Sequence, residues 1–95
     1  MAFRYLKVLW YHDVLGDPVV LFSEIGDDGY ETRKVDQFHD GRLEWADATR
    51  ETGLTALGQF PTPPIEEIAA DEEFSPSAIT AEEFEQVWTS ARSLG

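Results

Sequence analysis

The chain has 95 residues, no cysteine and a formal net charge of −12, from seven basic and 19 acidic side chains. This length fits one domain, covering residues 1–95, and the absence of cysteine excludes disulfides, zinc thiolates and cysteine nucleophiles. We do not expect nucleic acid as a partner, because binding its phosphates draws on lysine and arginine. No segment has the length of a signal-peptide core or a membrane span, so we expect a cytoplasmic protein without membrane contact.

Four strands are predicted in the first half of the chain, over residues 3–12, 19–25, 30–38 and 42–46. The pairs Asp28-Gly29 and Asp40-Gly41 are typical of tight hairpins. Two-residue loops would pair positions 24 with 33, 25 with 32, 22 with 35, 38 with 43, and 36 with 45. This register places Glu24 opposite Arg33, a favourable cross-strand pair. A bulge at Gly29 would shift it by one residue.

The second half is predicted to add one short strand and two helices. Alternating apolar residues indicate a fifth strand over Leu54–Phe60, and Phe74-Ser75-Pro76 is read as an interruption. Pro64 suits the first position of a short helix, on which Ile65, Ile68 and Ala69 share one side. A capping box of Thr80 and Glu83 begins the last helix, Thr80–Leu94. Its buried stripe is formed by Phe84, Val87, Trp88 and Ala91, and Ile79 staples onto Phe84.

The predicted fold class is α+β. An antiparallel meander of four to five strands occupies residues 3–60, and a helical part occupies residues 62–94. The C-terminal helix and the short helix are expected on one face of the sheet. In the predicted register this face carries Val19, Leu21, Leu43 and Trp45.

Acidic residues dominate the second half, since residues 51–91 contain nine carboxylates and neither lysine nor arginine. Three of the nine lie in the first turn of the last helix, where the helix dipole favours anions. Five others surround the short helix and are predicted to meet a basic protein partner: Glu66, Glu67, Asp71, Glu72 and Glu73. Alternatively, the acidity only keeps the domain soluble.

Aromatic residues on both faces of the first strand have two interpretations. The strand is central and covered on both sides, or its second face meets a partner, with Tyr5 and Tyr11 as anchors. His12 and His39 lie at strand ends beside Asp13 and Asp40, but neighbouring strand residues point to opposite faces, so adjacency creates no dyad. We expect no metal, no cofactor and no catalytic residue.

The chain resembles a family of small bacterial proteins of unknown function. The resemblance covers nearly the whole sequence and implies one domain without an assigned activity. It is carried by the segments Tyr5–Val8, Trp10–Asp13, Ser23–Val35, Phe38–Leu43, Trp45–Asp47, Ile65–Asp71 and Phe74–Trp88.

Three functional hypotheses follow from these observations. The first is a non-catalytic acidic protein-binding domain, in its sharpest form an immunity or antitoxin-like inhibitor of a basic effector such as a nuclease. The second is an accessory protein that binds a peptide or a partner enzyme at a sheet edge, using strand one or Leu54–Phe60. The third is a small enzyme that uses His12 or His39. Under each hypothesis we expect a monomer or a homodimer.

Overall fold

A computed structural model describes residues 2–53 and 55–94, without the side chain of Leu94. Its elements in chain order are β1 (Arg4–Trp10), β2 (Val20–Ile25), β3 (Glu31–Gln37), β4 (Leu43–Asp47), α1 (Ile65–Ala69), β5 (Phe74–Ile79) and α2 (Ala81–Leu94). The five strands form one antiparallel sheet in the order β4-β3-β2-β1-β5. The predicted α+β meander with a short and a C-terminal helix is therefore confirmed.

The fifth strand is β5 and not the predicted Leu54–Phe60. Leu54 lies outside the described residues, and residues 55–60 belong to no strand. The sheet therefore extends beyond residues 3–60, because β5 lies between the two helices. Pro76 was predicted to interrupt the chain, but it lies within β5. Tyr11 N–H donates to Glu73 O at 2.8 Å, which makes this pair a hydrogen-bonded pair of the ladder between β1 and β5. Since hydrogen-bonded pairs alternate along the ladder, the position of Pro76 faces away from β1, where no N–H is required.

Both hairpin turns contain three residues, which changes the predicted register. Phe38 N–H bonds Arg42 O and Gly41 N–H bonds Phe38 O, with Gly41 at a φ of 88°. This is a type I turn closed by a glycine bulge. The predicted pairs 38–43 and 36–45 are therefore wrong by one residue, and Val35 faces Trp45.

In the first hairpin, an irregularity after the turn restores the predicted register from Glu24 onward. Gly26 N–H bonds Tyr30 O, so Ile25 pairs with Glu31 and not with residue 32. The register then shifts between Ile25 and Glu24. The predicted pairs of Glu24 with Arg33 and of positions 22 and 35 are thereby confirmed.

Helix α2 covers one face of the sheet, which we call the helix face. A one-residue change of register moves a strand's side chains to the opposite face. Trp45 therefore shares a face with Val35 and not with Leu21, contrary to the expected helix-packing face. The buried cluster on the helix face comprises Val35, Trp45, Phe84, Trp88 and Ala91, flanked by Tyr5, Phe22, Leu43, Ile79 and Val87.

The start of α2 follows the predicted capping box. Glu83 N–H donates to Thr80 Oγ1 at 3.1 Å, and Thr80 N–H donates to Glu83 Oε1 at 2.9 Å. These bonds satisfy free N–H groups at the helix start. Ile79 packs against the cluster that contains Phe84, as the predicted staple requires.

The opposite face, which we call the cleft face, is covered differently. Its buried residues Leu6, Val8 and Ile25 pack with Leu21 and Phe74, and with Ile65 and Ile68 of α1. The two helices therefore lie on opposite faces, not on one face as predicted. Because α1 has only five residues, it covers this face in part, and residues 55–63 approach the rest as an irregular segment.

Candidate functional site

An open cleft of about 510 Å³ lies on the cleft face, between the sheet, α1 and the segment 58–63. Its floor is apolar and is formed by Leu6, Val8 and Leu21. The remaining lining residues are Ser23, Glu31, Lys34, Gly58, Gln59, Phe60, Pro61, Thr62, Pro63, Glu67, Ile68, Asp71 and Phe74. A concave apolar surface of this size with a few polar groups is typical of a binding site.

Glu31 fixes the segment 58–63, which forms one wall of the cleft. Its Oε1 accepts a bond from Gly58 N–H at 2.6 Å, and its Oε2 accepts one from Ser23 Oγ at 2.7 Å. A Cβ atom at position 58 would lie 3.0 Å from Glu31 Oε1, so glycine permits this close approach. Thr62 N–H adds a bond to Gly29 O at 2.7 Å. The wall is therefore fixed to both β3 and the first hairpin turn.

Lys34, Asp36 and Thr55 form a polar group beside this wall. Lys34 lines the cleft, and its Nζ lies 3.8 Å from Asp36 Oδ1. Asp36 is buried; its Oδ2 accepts a bond from Thr55 Oγ1 at 2.9 Å, whereas Oδ1 has no hydrogen-bond partner among the described residues. Burial raises the pKa of Asp36, and the charge of Lys34 and the bond from Thr55 only partly oppose this shift. Asp36 does not itself line the cleft.

Four carboxylates form what we call the acidic rim: Glu67, Asp71, Glu72 and Glu73. Glu67 and Asp71 line the cleft and also an adjoining open depression that contains Glu72 and Glu73. Asp71 Oδ1 accepts a bond from Glu73 N–H at 2.9 Å. The rim and the cleft are therefore continuous, so one ligand could contact both.

The structure separates the two tyrosines predicted as anchors. Tyr11 is 57% exposed, and its N–H bonds Glu73 O, which places it beside the acidic rim. Tyr5 lies on the helix face, where its hydroxyl donates to Glu24 at 3.0 Å and its ring centroid is 5.4 Å from that of Phe84. Burial raises the pKa of Tyr5. Glu66 is exposed on α1, outside the cleft lining.

The structure brings His12 and His39 close together. Their ring centroids are 5.4 Å apart, and His39 is exposed. His12 Nδ1 accepts a bond from Val14 N–H at 3.0 Å, which leaves Nε2 to donate to Pro18 O at 2.8 Å. Within residues 2–53 and 55–94, no group of three histidine or carboxylate side chains is placed to hold a metal ion.

Neither strand proposed for sheet-edge binding is available in that role. β1 lies between β2 and β5, and residues 55–60 form no strand. Of the actual edges, β4 is partly covered, because Trp45 N–H bonds Thr52 Oγ1 and Thr52 N–H bonds Trp45 O. β5 presents Pro76 outward, and proline at an edge opposes strand addition.

Sequence reasoning did not find the cleft. Its polar residues come from β2, β3, the segment 58–63 and the region of α1, and those of the two strands meet only in the observed register. The sequence did offer one signal, at Lys34 and Asp36. These two charged residues alternate with apolar Val35 in a central strand, so they lie on a face of the sheet that should be buried.

No helix in the described part of the chain is long and apolar enough to span a membrane.

The structure thus defines an α+β protein in which a partly covered sheet face holds an apolar cleft with an acidic rim. The chain belongs to the family described as domain of unknown function (DUF6881), which matches residues 4–93. No curated protein and no solved structure matches the chain.

Proposed function

We propose that this protein is a non-catalytic binding domain that receives a basic, partly apolar segment of a partner protein. The observation that carries the proposal is that Glu67 and Asp71 belong both to the apolar cleft and to the acidic rim. An apolar side chain of the partner would enter the cleft while neighbouring lysine or arginine side chains face the rim. Exposed Tyr11 extends the same surface, and tyrosine is enriched in protein interfaces.

Charge favours a basic partner. The protein carries a formal net charge of −12, and residues 51–91 contain no lysine or arginine. Complementary charge speeds association and disfavours acidic competitors, and its effect weakens as salt screens the charges. In its sharpest form, the proposal is an immunity or antitoxin-like inhibitor whose acidic rim covers the cationic site of a basic effector such as a nuclease.

The proposal is tested by selecting from a random library of displayed twelve-residue peptides on the immobilised full chain. We expect enrichment of peptides in which a large apolar residue neighbours lysine or arginine. The Kd of the strongest peptide is then measured at low and high salt for wild type and for Glu67→Gln/Glu72→Gln. Loss of two exposed charge pairs should weaken binding by about tenfold at low salt and less at high salt.

A matched control removes two charges elsewhere. Glu82 lies exposed on α2 and Glu51 lies exposed after β4, and neither lines the cleft, the rim or the depression that contains Tyr11. Glu82→Gln/Glu51→Gln should leave the Kd within about twofold of wild type. Equal weakening by both double variants, or enrichment of peptides without basic residues, would overturn the proposal.

A further inference from the structure

Residues 60–64, Phe-Pro-Thr-Pro-Pro, which we call the proline segment, are restricted to an extended conformation by their covalent structure. Every residue in it is a proline or precedes one. Proline fixes φ near −65°, and the residue before a proline is directed away from helical geometry. Pro64 has φ −59° and ψ 153°, the values of a polyproline II helix, and none of the peptide bonds is cis.

The proline segment is held from one side and exposed on the others. A polyproline II helix has three residues per turn, so Pro61 and Pro64 would share one edge of such a helix. Thr62 lies between them; it is partly buried, and its N–H donates to Gly29 O at 2.7 Å. The other four residues are exposed, and Phe60 is 79% exposed. Four exposed residues, three of them prolines, therefore lie on a segment that Thr62 anchors to the first hairpin turn.

We propose that the proline segment is a docking site for a partner domain with an aromatic-lined groove flanked by basic side chains. Flat aromatic rings in such a groove pack against proline rings. The segment gives up little conformational entropy on binding because proline has already restricted it.

Charge identifies the flanking chemistry of the partner. Exposed Glu66 follows the proline segment directly, and no basic residue lies between Glu51 and Ala91. A groove flanked by acidic residues would therefore be repelled, whereas one flanked by lysine or arginine would be attracted. The docking site goes beyond the proposed function, since its ligand is the groove of a folded domain and not a segment inserted into the cleft, although Phe60, Pro61 and Pro63 also line the cleft.

The test measures binding of the full chain to a panel of purified SH3, WW and EVH1 domains, chosen to include grooves with basic and with acidic flanks. The readout is isothermal titration calorimetry, because the three tryptophans of the chain would obscure the fluorescence of a groove tryptophan. We expect binding to members with basic flanks, and a loss of affinity of about tenfold or more for Pro61→Ala/Pro64→Ala. Pro18→Ala, in the loop before β2, is the matched control and should bind as wild type.

Phe60→Ala provides a second variant that is independent of backbone effects, because the side chain is mostly exposed. It should also weaken binding without changing the thermal unfolding midpoint. Absence of binding to every panel member, preference for acidic flanks, or equal binding by wild type and the Pro61, Pro64 and Phe60 variants would overturn this docking site. Selection of basic peptides at the cleft would be unaffected by such a result, so the two proposals fail separately.

Discussion

The two faces of the sheet each bury a carboxylate to 6% relative exposure, yet the pKa values of these carboxylates shift in opposite directions. On the helix face, Glu24 accepts bonds from Tyr5 Oη, Thr32 Oγ1 and two nitrogens of Arg33, at 2.6–3.0 Å. These bonds, those from Arg33 foremost, lower the pKa of Glu24 despite its burial. On the cleft face, Asp36 accepts one bond, and burial raises its pKa.

The difference shows that burial alone does not set the state of a carboxylate. The helix face is completed by α2: Glu85 forms an ion pair with Arg33, whose guanidinium carbon lies 5.0 Å from the ring centroids of Phe84 and Trp88. The cleft face has no comparable cover and leaves one oxygen of Asp36 without a hydrogen bond. We therefore expect truncations on the helix face to cost more stability than truncations on the cleft face, where the proposed binding cleft lies.

The largest expected difference in the free energy of unfolding comes from truncating one apolar residue on each face. Phe84 is fully buried, so Phe84→Ala should lower the free energy of unfolding by about 4 kcal/mol in urea denaturation. Ile68 is only partly buried at the cleft, and Ile68→Ala should cost about 1 kcal/mol, because the transfer of a partly exposed side chain is incomplete. Similar losses for both variants would contradict the assignment of stability to the helix face.

A smaller effect is expected from breaking the ion network of the helix face. Glu24→Gln removes a buried charged acceptor from Arg33 and should lower the free energy of unfolding by about 2 kcal/mol at neutral pH. Glu85→Gln removes the exposed partner of the same guanidinium and should cost no more than about 0.5 kcal/mol. If the exposed pair proved as costly as the buried one, hydrogen bonding to Glu24 would not explain the stability of this face.

The sequence predicted the helix face better than the cleft face, for physical reasons. Local signals determine the capping box at Thr80 and the apolar stripe of α2, because their partners lie three or four residues apart. The hairpin at Asp40-Gly41 shows where such signals fail. The same two residues fit a two-residue or a three-residue turn, and the choice decides the face on which Trp45 lies.

The cleft could be predicted even less, because it depends on contacts between distant segments. Glu31 and Gly58 are joined by a side-chain-to-backbone bond across 27 residues, and no local pattern marks that pair. Placement of β5 beside β1 likewise depends on Pro76 occupying an outward edge position, which became apparent only from the pairing. The acidic residues were visible in the sequence, whereas their position at an apolar cleft was not.

A small effect of either sign is expected from Asp36→Asn on the cleft face. The amide can donate to Thr55 Oγ1 and present its oxygen toward Lys34, so the existing contacts are retained without a buried negative charge. The free energy of unfolding at neutral pH should therefore lie within about 1 kcal/mol of wild type. A loss of about 3 kcal/mol would instead show that Asp36 and Lys34 form a strong buried ion pair.

The pH dependence of that small difference distinguishes the two faces most sharply. Because folding raises the pKa of Asp36, the folded protein binds more protons at this site than the unfolded chain above about pH 3.9, and wild type loses stability there as pH rises. Relative to wild type, Asp36→Asn should therefore gain stability as pH rises from about 4 toward neutrality.

Glu24→Gln should show the opposite slope. Glu24 contributes its full stability above about pH 4.3 and loses it as pH falls through its lowered folded-state pKa. Urea denaturation from acid to neutral pH measures both slopes, with Asp13→Asn as the exposed control of equal charge change. Slopes of the same sign for Asp36→Asn and Glu24→Gln would mean that folding shifts the pKa values of both carboxylates in the same direction. That result would contradict the contrast between the two faces.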